Sequence, residues 1–589
     1  MSIALSACSP TADDGRLNSR TLAEANSFID DTIRTEMILS PETATRFGLE
    51  AYAGPNATSR LSDHSQAGFE RGRLLRVDLL AKLERRPRLP EAHPLGRDLD
   101  LTTEALARLV KLQQFGHGHL AWTETRPYAV DPFSGIWIEG PDLLINRHRI
   151  ETLADAEAYI ARLASLPGAI DDARRRLRAD AGSSLVPPAA MLALMNTRLD
   201  ALLSEPSPTL PLLISTLQNF VISVDGIDAQ NRERLNRIAE ETVNIELRRA
   251  YTELAQTVSE FVEIAPQHGG LWAQPDGFDV YLGFLDWQIG ETVEPPEQLH
   301  AIHLAAVETE RLAFQGLLSD LGLEGPLAEQ LTALEELRSN PQAAQNVETA
   351  SPVRQWPASL TAQPTLTQRR ALDEHVAALY GISFKAASLD RSRPDLLVVN
   401  TRYMSLWPTW IGEILTTPAT YRPQLELGIA METAAGRSTT RRLTYLQAFD
   451  QGWAAYRTRH LFETEAPQGL SAVGAKHLFL IEAALAAADT GLHIERWSLS
   501  EAQTFLTENT GLSEPLIDKL ILYIAANPGE TTSRLIGLRR LENLRIRAEA
   551  VLGPRFEADD FHAVMLSDGS RPFALVEEDI ERWYEAQLP

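Results

Sequence analysis

The stretch AMETAAGRST at 430–439 lies on an apolar run, and QGWAAYRTRH follows at 451–460. Zinc hydrolysis on a helical frame needs neutral imidazoles and a carboxylate as ligands, with a second carboxylate to take a proton from bound water. Such a set commonly begins with His-Glu on a helix and closes with another His one or two turns on. Here Met431 and Glu432 occupy the His-Glu places. A thioether is a soft, neutral ligand poorly matched to zinc. Arg437 stands where the closing imidazole would be; a guanidinium is always charged and has no lone pair to give. Glu432 alone keeps the chemistry of a general base, and a base without metal-bound water has little to act on. The layout is that of a metal-hydrolase centre whose metal-binding side chains are replaced.

The elements that would position these residues follow from periodicity. Apolar residues at helical spacing dominate, as in 22–38, 68–86 and 231–262, the last long, amphipathic and free of Pro and Gly. Val293-Glu294-Pro295-Pro296 puts proline in a first helical turn, and Ser498-Leu499-Ser500-Glu501 reads as a capping box. Strand-like runs are few, SGIWIEG at 134–140 and SRPDLLVVNT at 392–401. The fold class expected is mainly α, one large helical body with minor β-structure, over residues 20–589. Residues 1–19 form a separate leader and tether, and a linker is placed near 350–368.

Read as a pair of motifs, the two runs resemble the domain of unknown function 885 family of bacterial proteins. Its pattern is roughly His-Glu-x-x-Pro-Gly-His-His, followed by Phe-x-Glu-Gly-Trp-Ala-x-Tyr-x-Glu. The corresponding residues here run from Met431 to Ser438 and from Phe449 to Thr458. Gly436, Gly452, Trp453, Ala454 and Tyr456 match, whereas Met431, Arg437, Ser438, Gln451 and Thr458 replace the metal-motif positions. Further blocks are similar in order: RPYAVDPFSG at 126–135, the segment 278–312 with His300 in register, DLLVVNTR at 395–402 and NPGETTSRL at 527–535. In the last block Glu530, Thr531 and Arg534 replace the family's Gln, Ala and Tyr.

The resemblance implies a helical zinc-peptidase-like architecture in which Glu432 is a vestigial base and no metal or other cofactor is expected. It further implies a cleft lined by Asn400, Arg437, Trp453, Tyr456, Arg534 and His562. Arg437 and Arg534 would make that cleft cationic and suit a peptide or other carboxylate-bearing ligand. A partner chain retaining the intact motif is also compatible with it. Two alternatives stay open: a working metallohydrolase with ligands relocated to His300 and His562 beside Glu432, and a structural envelope lipoprotein with no ligand.

Other histidines suggest less. His117 and His119 in GHGHLAW read as a surface turn, and His460, His477 and His493 as surface or satisfied core residues. Two histidines at i and i+3, His300 and His303, make a weak site by themselves. Gly-x-Ser-x-Gly and phosphate-binding glycine loops are absent from the sequence.

Composition narrows the partners. The 589 residues carry 55 basic and 80 acidic side chains, a net charge of −25, which disfavours nucleic acid. The densest basic run, RRRLR at 174–178, reads as a solvated helix face. The single cysteine, Cys8, excludes an internal disulfide and a Cys-based zinc site. Leu5-Ser6-Ala7-Cys8 resembles a bacterial lipobox preceded by too short a leader, so a truncated signal with lipidation at Cys8 is expected. Membrane attachment would then run only through that lipid, and the location would be the bacterial envelope, lipid-anchored or periplasmic.

Overall fold

The computed structural model describes residues 19–588 except 87, 90–92, 205–206, 208, 292–294, 340–366, 371–378, 381, 386–395, 400, 416–422, 424–425, 428–436 and 466–469. Met431, Glu432, Asn400, Cys8 and nearly all of the expected linker therefore lie outside the described residues. The fold is mainly α.

The helices that matter below are α1 (Ser19–Leu39), α2 (Gln66–Glu84), α3 (Pro94–Gln113), α4 (Ile136–Asn146), α5 (Leu153–Gly182), α6 (Arg248–Val262), α7 (Gly277–Ile289), α8 (Pro296–Asp320), α9 (Gln447–Glu465), α10 (Leu470–His493), α11 (Glu514–Ala526) and α12 (Glu530–Leu552). The expected long helix of 231–262 forms with one π turn at Thr242–Leu247 before α6. Ser498 and Glu501 close the expected capping box, and Pro296 opens α8. No helix among the described residues is long and apolar enough to cross a membrane.

The β-structure is small. Strands β1 (His119–Ala121) and β2 (Glu124–Arg126) pair antiparallel. In a second sheet, β3 (Thr367–Arg370) runs parallel and β4 (Ile382–Lys385) antiparallel to the central β5 (Leu396–Val399). The strand expected in 392–401 is β5; the one expected in 134–140 is instead the start of α4. There Ile136, Trp137, Ile138, Leu143 and Leu144 are all buried, and a short apolar run buried on every side has no periodicity to separate strand from helix.

GHGHLAW is likewise not a surface turn. It leads into β1, and His117 is 2% exposed with its Nε2 2.9 Å from the Pro275 carbonyl oxygen. The basic run on α5 is only partly solvated. Arg176 is buried, donates to Asp180 at 2.7 Å and covers the Phe69 ring.

Two apolar cores share the body. One lies within residues 130–265 around Trp137, Tyr159 and Tyr251. Both tyrosines satisfy their hydroxyls on backbone carbonyls, of Leu213 and Trp137, each at 2.7 Å, as burial of a polar tip requires. The larger core surrounds α10, whose run from Leu478 to Leu492 is buried almost throughout. A helix apolar on all sides belongs at the centre of a large domain.

Helices α9 and α12 make the tightest helix crossing near the motif. A Cβ added to Gly452 would lie 2.6 Å from the Gly537 Cα, and one added to Gly537 would lie 1.7 Å from the Ala448 carbonyl oxygen. Only glycine lets two backbones approach so closely. Gly537→Ala is therefore expected to destabilise the fold by about 1–3 kcal/mol or more through forced separation of the helices. Chemical denaturation followed by far-UV circular dichroism measures it, and an unchanged midpoint contradicts the crossing.

Candidate functional site

Gln451, at the position the second motif gives to glutamate, lies one residue before the glycine crossing and faces α12. Arg534 donates from one Nη to the Gln451 backbone oxygen at 3.2 Å and to its Oε1 at 3.0 Å. Its Nε and other Nη reach Glu482 Oε1 on α10 at 3.1 and 2.6 Å. Tyr380 donates to the same carboxylate oxygen at 3.2 Å. Burial works against the charge of Arg534, but Glu482 outweighs it and holds the guanidinium protonated more firmly than in water.

Arg437 belongs to a different set. It pairs with Asp568 at 2.7 Å and approaches Asp98 at 3.7 Å. Ser438 caps the short helix Thr439–Leu443 with its hydroxyl, while its N–H donates to Asp98 at 2.8 Å. Arg441, 2% exposed, donates to the backbone oxygens of Ser570 and Asp568 at 2.6 and 2.9 Å. Arg97 and Arg571 complete this buried lattice through Asp568 and Asp579. Among the described residues Arg437 and Arg534 thus share no partner, and each is neutralised by its own carboxylates.

Trp453, Tyr456 and His562 are buried together away from solvent. The Tyr456 hydroxyl is 3.0 Å from His562 Nε2, and the Trp453 and His562 rings meet edge to face at 5.5 Å. His460 stacks on Tyr456 and accepts at Nδ1 from Arg545 at 3.0 Å. Burial, reinforced by Arg457, pushes His562 down to about 3; burial and Arg545 lower His460 to about 4. Both rings are neutral at ordinary pH. Thr458 is buried on the same helix.

His300 and His303 face α10, with Thr490 Oγ1 2.8 Å from His300 Nδ1 and the Ala486 carbonyl oxygen 3.1 Å from His303 Nδ1. Among the described residues they share no hydrogen-bond or ring partner with His562. His477 is sandwiched in the core, hydrogen-bonded to Trp410 and Thr510 at 3.0 and 2.7 Å, and His493 accepts at 3.0 Å from the Leu271 N–H.

The described positions of the motif do not suit zinc. Gln451 presents an amide oxygen already occupied by a cation, Arg437 and Ser438 are engaged with Asp98 and Asp568, and Thr458 is a neutral hydroxyl. Among the described residues no three His, Cys, Asp or Glu side chains converge on a point.

Beside this centre lies a cavity of about 250 Å³ that the sequence did not announce as a unit. The hairpin β1–β2 supplies Glu124 and Arg126, α7 supplies Trp287, α11 supplies Tyr523, and the first residue of α12 is Glu530. Tyr445, also on the wall, accepts from Gln451 Nε2 at 2.7 Å, so cavity and motif helix are joined. Tyr523 donates to Glu530, 3.0 Å from both oxygens. Burial pushes Glu530 up to about 7, against the lowering effects of Tyr523 and Arg534. Asp450, next to Gln451, is likewise raised to about 7 by burial although Ser570 and the Leu446 N–H donate to it. RPYAVDPFSG and the Glu530 position were visible in the sequence; Tyr445 and Tyr523 stand in no motif.

A mainly helical fold of this kind is represented among solved structures. The chain is similar to "The crystal structure of the putative lipoprotein from Colwellia psychrerythraea", with 20% identity and a TM-score of 0.83 over 96% of this chain and 99% of that one. It is also similar to a structure described as a "putative lipoprotein of unknown function" from Shewanella oneidensis, with 16% identity and a TM-score of 0.62 over 95% and 99%. The chain itself belongs to the family described as "Bacterial protein of unknown function (DUF885)", which matches residues 41–580. No curated protein matches it.

Two outcomes follow from the pairings. Arg534→Ala leaves Glu482, 7% exposed, without its guanidinium, and is expected to cost about 2–4 kcal/mol; Glu482→Gln in the same chain should recover part of it in a double-mutant cycle. Asp450 and Glu530 have folded-state values raised to about 7, so their contribution to stability is fully present below the unfolded carboxylate range and lost as pH rises through about 7. Asp450→Asn with Glu530→Gln should thus raise Tm over the parent more at about pH 8 than at about pH 5. The neutral buried histidines act equally in both chains and cancel in the difference.

Proposed function

We propose that this chain is a non-catalytic member of its family, which keeps a ligand-binding cavity beside a centre that has lost its metal chemistry. The observation that carries the reading is the Arg534 guanidinium seated on Gln451 Oε1 and held there by Glu482. It puts a permanent positive charge on the side chain that the second motif gives to a carboxylate. A divalent cation at that oxygen would meet the guanidinium, and leaving Glu482 unpaired would oppose displacing it.

Relocated ligation has less support, since His300 and His562 have separate surroundings and each already has a hydroxyl partner. The likeness in fold to bacterial proteins described as lipoproteins, together with Cys8 in a lipobox-like setting, supports a place in the bacterial envelope, lipid-anchored or periplasmic.

Elemental mass spectrometry of untagged protein purified without chelator is the test. Less than about a tenth of an equivalent of zinc is expected, against the near-full loading of a three-ligand or closed site. Stoichiometric zinc, with peptidase activity that chelators remove and zinc restores, would establish the working metallohydrolase instead.

A further inference from the structure

This inference rests on the reading of the cavity as a ligand site and names the chemistry of its occupant. We propose that the cavity takes a ligand bearing a protonated amine on an apolar body, with the ammonium on Glu530 and the apolar part against Trp122, Trp287 and Phe133.

Charge on the wall decides the polarity. Two carboxylates, Glu124 and Glu530, and one guanidinium, Arg126, line the space. Arg126 is already shared by Glu124 and Glu139, so it has little left to offer an anion. Glu530 differs from Glu124 in having no ion-pair partner among the described residues. Its oxygens receive the Tyr523 hydroxyl at 3.0 Å and the Gln447 side-chain amide, two neutral donors for a group whose oxygens offer about four acceptor positions. The Arg534 charge nearest to it on α12 is bound to Glu482. The N-terminal amides of α12 do not supply positive character either, because Asp489 accepts from the N–H groups of Gly529 and Thr532 at 3.1 and 3.2 Å.

The rest of the wall suits the rest of such a molecule. Trp122 and Trp287 meet edge to face at 6.2 Å, and Phe133 packs edge to face on Tyr523 at 5.4 Å. Aromatic rings receive both an apolar body and the electropositive methylene beside an ammonium. Arg437 and Arg534, the arginines expected to suit a carboxylate-bearing ligand, do not line this cavity and are paired with Asp568 and Glu482. An amine on Glu530 would instead complete a charge-assisted pair at the cavity wall.

The test uses the whole chain and isothermal titration calorimetry with phenylalaninamide, N-acetylphenylalaninamide and 2-phenylethylamine. The amine of phenylalaninamide should bind at least about tenfold tighter than its acetylated counterpart, and Glu530→Gln should remove that preference. Binding of 2-phenylethylamine as strongly as phenylalaninamide would assign the site to free amines; stronger binding of phenylalaninamide would assign it to peptide amino termini. Equal binding of the acetylated and free amides, or a preference that survives Glu530→Gln, overturns the amine inference while leaving a ligand-binding cavity in place. Binding of none of the three overturns both. Far-UV circular dichroism and Tm of the Glu530→Gln chain separate lost recognition from lost fold.

Discussion

The backbone contact between Gly452 and Gly537 is the constraint on which the arrangement of the centre depends. It fixes α9 against α12 at a separation that no larger residue allows. At that separation Gln451 and Arg534, each within a turn of a crossing glycine, meet side chain to side chain. The same helix turns Trp453 and Tyr456 towards His562 and away from Arg534, because positions three residues apart share a face and positions two apart do not. One close crossing thus sorts a single motif into a charged side and an aromatic side. It also explains why Gly452 accompanies Trp453 and Tyr456: the glycine makes the crossing, and the aromatics fill the space around it.

The arginines of this centre are all handled the same way. Arg534 is matched by Glu482, Arg437 and Arg441 by Asp98 and Asp568, and Arg571 by Asp579. Neutralisation by a specific carboxylate is what makes a buried guanidinium tolerable. Its consequence is that an arginine counted from the sequence as a free cation is not one in the fold. Arg437 looks like an exposed positive group after a small-residue run, yet Asp98 and Asp568 come from α3 and from a loop more than a hundred residues further on. No local pattern around Arg437 contains them.

The same distinction marks what could be read in advance. The helices of 22–38 and 68–86 were legible because their periodicity is a local property that packing confirms. The capping box at Ser498 was legible because both partners lie within four residues. SGIWIEG was misread because burial on all sides erases the period, and His117 because its partner, the Pro275 carbonyl, is distant in sequence. For the centre, motif spacing located Gln451, Trp453, Tyr456, Arg534 and His562, but not how they divide among partners. Of the cavity, only pieces inside motif blocks were visible. Tyr445 reaches it from the short loop before α9 and Tyr523 from the otherwise ordinary helix α11, so only the assembled fold reveals them.

Where charge and shape are set by long-range pairing, the residues that replace a motif say less than the residues that pair with the replacements. Arginine at 534 could by itself signify an anion site. Arginine at 534 with glutamate at 482 and glutamine at 451 signifies a closed arrangement whose donors are already used. Opening it for an anion would require separating Arg534 from Glu482, leaving a buried carboxylate that the Tyr380 hydroxyl would solvate poorly. Glu530 is in the opposite condition. It is joined to a hydroxyl and an amide rather than to a cation, it borders open volume, and burial already disfavours its charge. A cation entering that volume relieves the desolvation that holds Glu530 near neutrality, whereas an anion aggravates it. The preference for positive charge at this cavity follows from the same rule that closes the arginine sites to negative charge: each buried ion has the fold it needs only when its counter-ion is counted.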